Sequence, residues 1–153
     1  MNILYITISG NTRSFVTRMQ AFAAEKHTEN PKFPIIQLKE IHDNSLNEVE
    51  TEPFFVVVPT YLEGGNGVDN GDQEILTEAL REYIAFSDNA SYCLGIIGSG
   101  NKNFGHQYCL TAKQYAEQFQ VPFLADFELR GNQGEIQSIY ENLVQRWEQH
   151  TNK

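Results

Sequence analysis

Three stretches of this 153-residue sequence concentrate glycine with small hydrogen-bonding side chains, and no lysine stands in the first. That first stretch, Thr7-Ile8-Ser9-Gly10-Asn11-Thr12, follows an apolar run and opens an amphipathic segment. Consecutive backbone N–H groups and hydroxyls at a helix start attract an anion, because the helix dipole and the unpaired amides point the same way. Gly10 lets the backbone approach closely, and Asn11 or Thr12 is expected to cap the helix. With neutral donors only, the loop suits a phosphate monoester. It lacks the lysine and spacing of a P-loop and is not a dinucleotide GxGxxG turn. An ordinary helix cap is the bland alternative, and Arg13 reads as a solvated first-turn residue.

The second stretch runs from Pro59 and Thr60 through Tyr61 to Gly71, with Gly64, Gly65, Gly67 and Gly71 giving four glycines in thirteen residues. Such a loop reaches positive φ cheaply, and Tyr61 offers a face to a planar ring. Its alternative is a surface hairpin. The third, Gly98-Ser99-Gly100-Asn101-Lys102-Asn103-Phe104-Gly105, leads into another helical segment. Its amides suit a heterocycle edge and Phe104 suits stacking. Nothing reads as a Ser/His/acid triad, a CxxxxxR phosphatase loop or an acid pair closing the first strand. The four histidines (His27, His42, His106, His150) are scattered. No residue is therefore assigned as catalytic and none as a metal ligand; a bound redox cofactor is expected to carry the chemistry.

These loops must be held by a frame, and the hydropathy pattern supplies one. Apolar runs at Asn2–Ile8, Ile35–Leu38, Pro53–Pro59, Tyr92–Gly98 and Phe123–Leu129 alternate with segments of helical period. Phe54–Val58 and Leu94–Ile97 do not alternate with polar residues, as strands buried on both faces should not. Helical stripes comprise Phe15/Val16, Met19 and Phe22/Ala23; Ile75/Leu76, Ala79/Leu80 and Tyr83/Ile84; Tyr108, Ala112, Tyr115/Ala116 and Phe119; and Ile136, Ile139/Tyr140, Leu143/Val144 and Trp147. The pattern predicts one α/β domain over residues 1–153, an open five-stranded parallel sheet of order 2-1-3-4-5 with helices on both faces. Lys39–Glu52 is polar, and the crossover helix belonging there should be short or irregular. Ligands of such sheets sit beyond the carboxyl ends of the strands, where the strand order reverses, which is where the three loops fall.

A net charge of −9 argues against nucleic acid and anionic membrane as partners. The opening residues do not read as a signal peptide and no run is long enough to span a bilayer, so a cytoplasmic protein is expected. Cys93, in an apolar run, reads as a buried small hydrophobe, and Cys93 and Cys109 form no CxxC.

The loop TISGNT resembles the phosphate loop of flavodoxins. The segments VPTYLEGGNG, GIIGSGNKNFGHQYC and VPFLADFELRGN resemble the NrdI family, the flavodoxin-like proteins associated with class Ib ribonucleotide reductase, almost end to end. The resemblance implies a bound FMN that reacts with O2 and passes superoxide or peroxide to the dimanganese small (radical) subunit of the reductase for tyrosyl-radical assembly. It implies a separate flavin reductant, not identified by the sequence, and a monomer is the default. By position, Thr7, Ser9, Gly10, Asn11 and Thr12 go to the phosphate. Pro59, Thr60, Tyr61, Gly64, Gly65 and Gly67 go to the ring and its N5 edge, where the glycines are expected to turn a peptide carbonyl toward N5. Ser99, Gly100, Asn101, Asn103, Phe104 and Gly105 go to the other edge. The acidic series Glu63, Asp69, Asp72, Glu74 and Glu78 should disfavour an anionic reduced flavin. It keeps an electron-carrier flavodoxin as the alternative; a cofactor-free interaction module is the third reading.

Overall fold

A computed structural model of the chain describes residues 1–63 and 73–152. A parallel sheet is formed by β1 (Asn2–Tyr5), β2 (Gln37–Glu40), β3 (Phe54–Pro59), β6 (Cys93–Gly100) and β7 (Phe123–Glu128). Between β3 and β6 lies a two-stranded antiparallel ribbon, β4 (Leu62–Glu63) and β5 (Gln73–Glu74). The spatial order β2-β1-β3-β6-β7 is the 2-1-3-4-5 order predicted from the sequence. The helices are α1 (Asn11–Glu29), α2 (Glu78–Ala85), α3 (Leu110–Phe119) and α4 (Gln133–Thr151).

Strand side chains alternate between faces, so an unbroken apolar strand must be covered twice. Ile3, Tyr5, Phe55, Val57 and Ile97 meet Phe15, Met19, Ile136, Tyr140 and Leu143 of α1 and α4. Leu4, Ile6, Phe54, Val56, Val58 and Ile96 meet Leu80, Tyr83, Ala112 and Tyr115 of α2 and α3. Both cysteines are buried and unbridged. Burial pushes the Cys93 thiol up to about 12, which fits its reading as a small core hydrophobe. No helix among the described residues is long and apolar enough to cross a membrane.

Several boundaries differ from the sequence reading. β2 lies two residues later than expected, because its register is dictated by β1. Gln37 pairs with Asn2, and the Gln37 N–H donates to the Met1 carbonyl at 2.8 Å. Hydropathy missed it since an edge strand can pair while polar. β1 ends at Tyr5, so Ile6 remains core while Ile8 is released into the loop. β6 continues to Gly100, making Ser99 and Gly100 strand residues. α2 starts only at Glu78: Ile75 belongs to the ribbon, its N–H donating to the Tyr61 carbonyl at 2.9 Å, and Leu76 turns the chain at φ 69°. Tyr108 precedes α3, its hydroxyl donating to Asp126 at 3.0 Å.

The largest correction concerns residues 41–53, which contain no helix. Buried Asn89 organises this crossover instead. Its amide donates to the carbonyls of Glu48 (2.9 Å) and Tyr83 (2.8 Å), and its carbonyl accepts from the Glu50 N–H at 2.8 Å. The Glu50 carboxylate is held by Lys39 at 2.7 Å and by the Tyr83 hydroxyl. Replacing Asn89 by alanine strands three polar backbone groups at once and is expected to cost about 2 kcal/mol. Urea denaturation would measure it, and a loss below about 0.5 kcal/mol would show that the crossover is held by other contacts.

Candidate functional site

The carboxyl ends of β1, β3 and β6 open into a cleft of about 320 Å³, within the size range of small-molecule sites. Its floor begins at α1, whose N-terminus is reached through Gly10 in the left-handed conformation (φ 95°). No side chain caps this helix start, which corrects the expectation that Asn11 or Thr12 does so. Asn11 is instead the first helical residue, and both it and Thr12 line the cleft. The first-turn N–H groups of a helix have no intrahelical acceptor. Among the described residues only the Arg13 amide finds a side-chain acceptor here, Thr7 Oγ1 at 3.4 Å. Thr12 is 1% exposed, yet among the described residues its hydroxyl has no hydrogen-bond partner, and the same holds for the buried hydroxyl of Thr60 across the cleft. Buried hydroxyls are normally satisfied, because leaving one bare costs roughly 1–3 kcal/mol. The bare Thr12 hydroxyl beside an uncapped helix start forms a donor set for an anionic group, and Thr60 adds a second donor on the facing wall.

Opposite α1, the Tyr61 hydroxyl donates to Ser9 Oγ at 3.0 Å, joining the second loop to the first. Ser99, Gly100 and Asn101 close the third side, with Phe104 on the rim. Asn101 caps the 3₁₀ turn Lys102–Gln107 by accepting from the Asn103 N–H at 2.9 Å. The rim is apolar: Phe104 is 63% exposed, Leu129 49% and Ile8 42%. Large exposed hydrophobes around a polar floor describe a slot for a flat apolar ring that carries an anionic tail.

Of the predicted residues, the structure brings Ser9, Asn11, Thr12, Pro59, Thr60, Tyr61, Ser99, Gly100, Asn101 and Phe104 together around the cleft. Thr7, Gly10, Asn103 and Gly105 stand behind it and shape its turns rather than line it. Gly64, Gly65 and Gly67, with the N5-edge expectation attached to them, lie outside the described residues. Sequence reasoning missed Ile8, Leu62, Gln107 and Leu129. Ile8 and Leu129 carried a usable signal, being large apolar residues inside otherwise polar loop segments.

Two charge expectations change. Arg13 is ion-paired: its guanidinium donates to both Glu40 oxygens, at 2.8 and 3.0 Å, and Tyr5 donates to the same carboxylate at 3.2 Å. The hydrogen bond from Arg13 holds the Glu40 carboxyl below its usual range, against the opposing effect of partial burial. A depressed carboxyl adds stability above its unfolded pKa that is lost as pH falls through the folded one. Carboxyl NMR should therefore place the Glu40 midpoint below those of solvated glutamates, with Arg13→Gln moving it upward. An unmoved midpoint would mean that the pair does not persist in solution. Glu74, read from sequence as part of an acidic series, is neutralised by Arg81 at 2.7 Å. Among the described residues, no three of His, Cys, Asp and Glu cluster as metal ligands would.

A doubly covered parallel sheet of this order, with a cleft at its switch point, is flavodoxin-like. Solved flavodoxins superpose accordingly. A short-chain flavodoxin associated with a bacterial microcompartment matches with a TM-score of 0.62 at 16% identity, covering 94% of this chain and 95% of that one. The two-electron reduced flavodoxin of Megasphaera elsdenii matches with a TM-score of 0.57 at 13% identity, covering 94% and 98%. The chain belongs to the NrdI flavodoxin-like family, whose model matches residues 3–141. An NrdI-like protein of Streptococcus pyogenes serotype M18 is 51% identical over 146 residues, 95% of this chain and 93% of the relative. Protein NrdI of Bartonella tribocorum is 30% identical over 148 residues, 96% of each.

Proposed function

We propose that the cleft binds FMN and that the chain is the redox activator of a class Ib ribonucleotide reductase. The bound flavin, once reduced, would supply electrons to O2, and the resulting superoxide or peroxide would serve the dimanganese small subunit in forming its tyrosyl radical. The observation that carries the reading is the pair of buried, partnerless hydroxyls, Thr12 and Thr60, beside an uncapped helix N-terminus. An FMN phosphate would satisfy Thr12 and the flavin portion of the cofactor would satisfy Thr60, and the family membership supports the reductase as partner.

In this reading Ser9, Asn11 and Thr12 hold the phosphate, with Gly10 setting the turn and Thr7 ordering the Arg13 amide. Pro59, Thr60 and Tyr61 face one side of the ring system, and Gly64, Gly65 and Gly67 belong to the same edge by sequence position. Ser99, Gly100 and Asn101 face the other, with Phe104, Ile8 and Leu129 excluding water; Asn103 and Gly105 shape the turn that presents Phe104. The chain contributes no acid, base or nucleophile; it binds, orients and shields. The reading implies a cytoplasmic monomer with a flavin reductant and O2 as its other partners.

Anaerobic reductive titration of the purified protein, then admission of air with the manganese-loaded small subunit, tests the proposal. A flavin spectrum and a tyrosyl radical that requires both proteins is the expected result. A flavin spectrum without radical would favour an electron carrier, the second reading, which the charge of −9 supports through an acidic docking face. A colourless protein that takes up no FMN would remove the site itself.

A further inference from the structure

Away from the cleft, the Glu74 carboxylate is the centre of a polar hub that joins two helices to the β4–β5 ribbon. It accepts from the Tyr115 hydroxyl of α3 at 2.5 Å, from Arg81 of α2 at 2.7 Å and from the Thr77 hydroxyl. Tyr115 also donates to the Thr77 carbonyl at 3.0 Å. Burial, reinforced by the Glu74 charge, pushes the Tyr115 hydroxyl up, so it remains a donor at any physiological pH. Thermodynamics alone does not call for such a hub, since an apolar cluster of the same volume is often as stable.

Its placement suggests a use. Glu74 pairs with Leu62 in the β4–β5 ribbon, and the next amide, Ile75 N–H, donates to the Tyr61 carbonyl at 2.9 Å. Tyr61 and Leu62 are both cleft walls, and the Tyr61 hydroxyl reaches Ser9 in the first loop. A continuous chain of bonds therefore runs from α2 and α3, through Glu74 and the ribbon, to the loop at the start of α1. Among the described residues the ribbon pairs two residues per strand, and the Glu74 hub anchors it to α2 and α3 in addition to that pairing.

We propose that Glu74 and Tyr115 are positioning residues for the cofactor cleft, fixing the Tyr61–Leu62 wall from the side of the protein away from the ligand. This rests on the FMN reading of the cleft. Among the described residues the hub's hydrogen bonds reach no cleft-lining residue, so its effect passes through the ribbon to the geometry and mobility of the wall and not to its chemistry.

Tyr115→Phe removes one hydroxyl without changing charge, and Glu74→Gln keeps the volume while weakening all three bonds. In both, the FMN dissociation constant is expected to rise about three- to thirtyfold. The fluorescence of bound flavin should rise as the Tyr61 ring loses its fixed position. In the flavin-free protein the Ile75 amide should exchange with deuterium about tenfold faster, a readout that needs no cofactor. Asn89→Ala serves as the control, because it destabilises the same α2 side of the sheet without a link to the ribbon; it should leave the dissociation constant within twofold. The inference is overturned if Tyr115→Phe leaves both FMN affinity and Ile75 exchange unchanged, or if Asn89→Ala weakens FMN as much, which would reduce the hub to general stability. A wild-type chain that takes up no FMN, with Ile75 exchange still responding to Tyr115→Phe, overturns the site reading while upholding the wall-fixing role of the hub.

Discussion

Thr12→Val is expected to weaken FMN binding by about ten- to a hundredfold while leaving the flavin-free protein at least as stable as before. The two effects have opposite signs for one reason. In the structure the Thr12 hydroxyl is buried and bonded to nothing, so removing it from the unloaded protein relieves a cost rather than creating one. Valine keeps the shape and the β-branch, so no cavity opens. In the loaded protein the same hydroxyl would donate to a charged phosphate, a bond of roughly 1.5–3 kcal/mol, and valine forfeits it. Thr111→Val is the matched control: that hydroxyl is also buried and partnerless, but it sits on α3 and does not line the cleft. It should share the stability effect and leave affinity alone. Fluorescence titration and thermal melts of the flavin-free forms measure both quantities. Equal affinity in Thr12→Val and wild type would remove Thr12 from the phosphate site.

Gly131→Ala is expected to destabilise the fold by about 2–5 kcal/mol, combining a left-handed backbone penalty of about 1–2 kcal/mol with overpacking of about 1–3. Gly131 has φ 74°, and a Cβ there would lie 2.7 Å from Cδ2 of Phe15 and 3.3 Å from Cδ2 of Phe127. Those two rings are stacked, with centroids 3.7 Å apart and planes within 10°, and both are fully buried, so neither can retreat. The surrounding turn is equally committed. The Gly131 carbonyl accepts from Arg18 at 3.2 Å, its N–H donates to the Glu128 carbonyl at 2.9 Å, and Asn132 and Glu135 form a reciprocal cap on α4. Against a total stability of order 5–15 kcal/mol, such a loss is a large fraction. Because Leu129 of the same turn is a cleft wall, FMN affinity should fall with it. Denaturant midpoints test the prediction, and a loss under about 1 kcal/mol would mean that the turn shifts to admit the methyl group.

The FELRGN segment therefore has a physical reading beyond resemblance. Phe127 stacks on α1, Leu129 faces the cleft, the Arg130 and Gly131 carbonyls receive Arg18, and Asn132 starts α4. One turn ties α1 to the last strand and helix, so both ends of the chain border the cleft.

What the linear sequence determined by itself was the layer architecture and strand order, which follow from periodicity and from the placing of the turns. Unbroken apolar runs at Phe54–Val58 and Leu94–Ile97 required a sheet covered on both faces, stripes such as Ile136, Ile139/Tyr140 and Leu143/Val144 supplied the covering helices, and the loops after the first, third and fourth sheet strands pointed to the edge at which the cleft opens. Those signals reside in spacing and residue type, which folding does not alter. The tertiary structure alone decided where hydrogen bonds between distant residues end. It replaced the expected crossover helix by a segment hung on Asn89, moved β2 to match Met1 and Asn2, and left Thr12 bare instead of capping. It also gave Arg13 to Glu40 and Glu74 to Arg81, so that neither charge acts as its sequence position suggests. Each of these outcomes depends on a partner between 6 and 41 positions away, or on the lack of one, and such pairings leave no periodic trace in the chain.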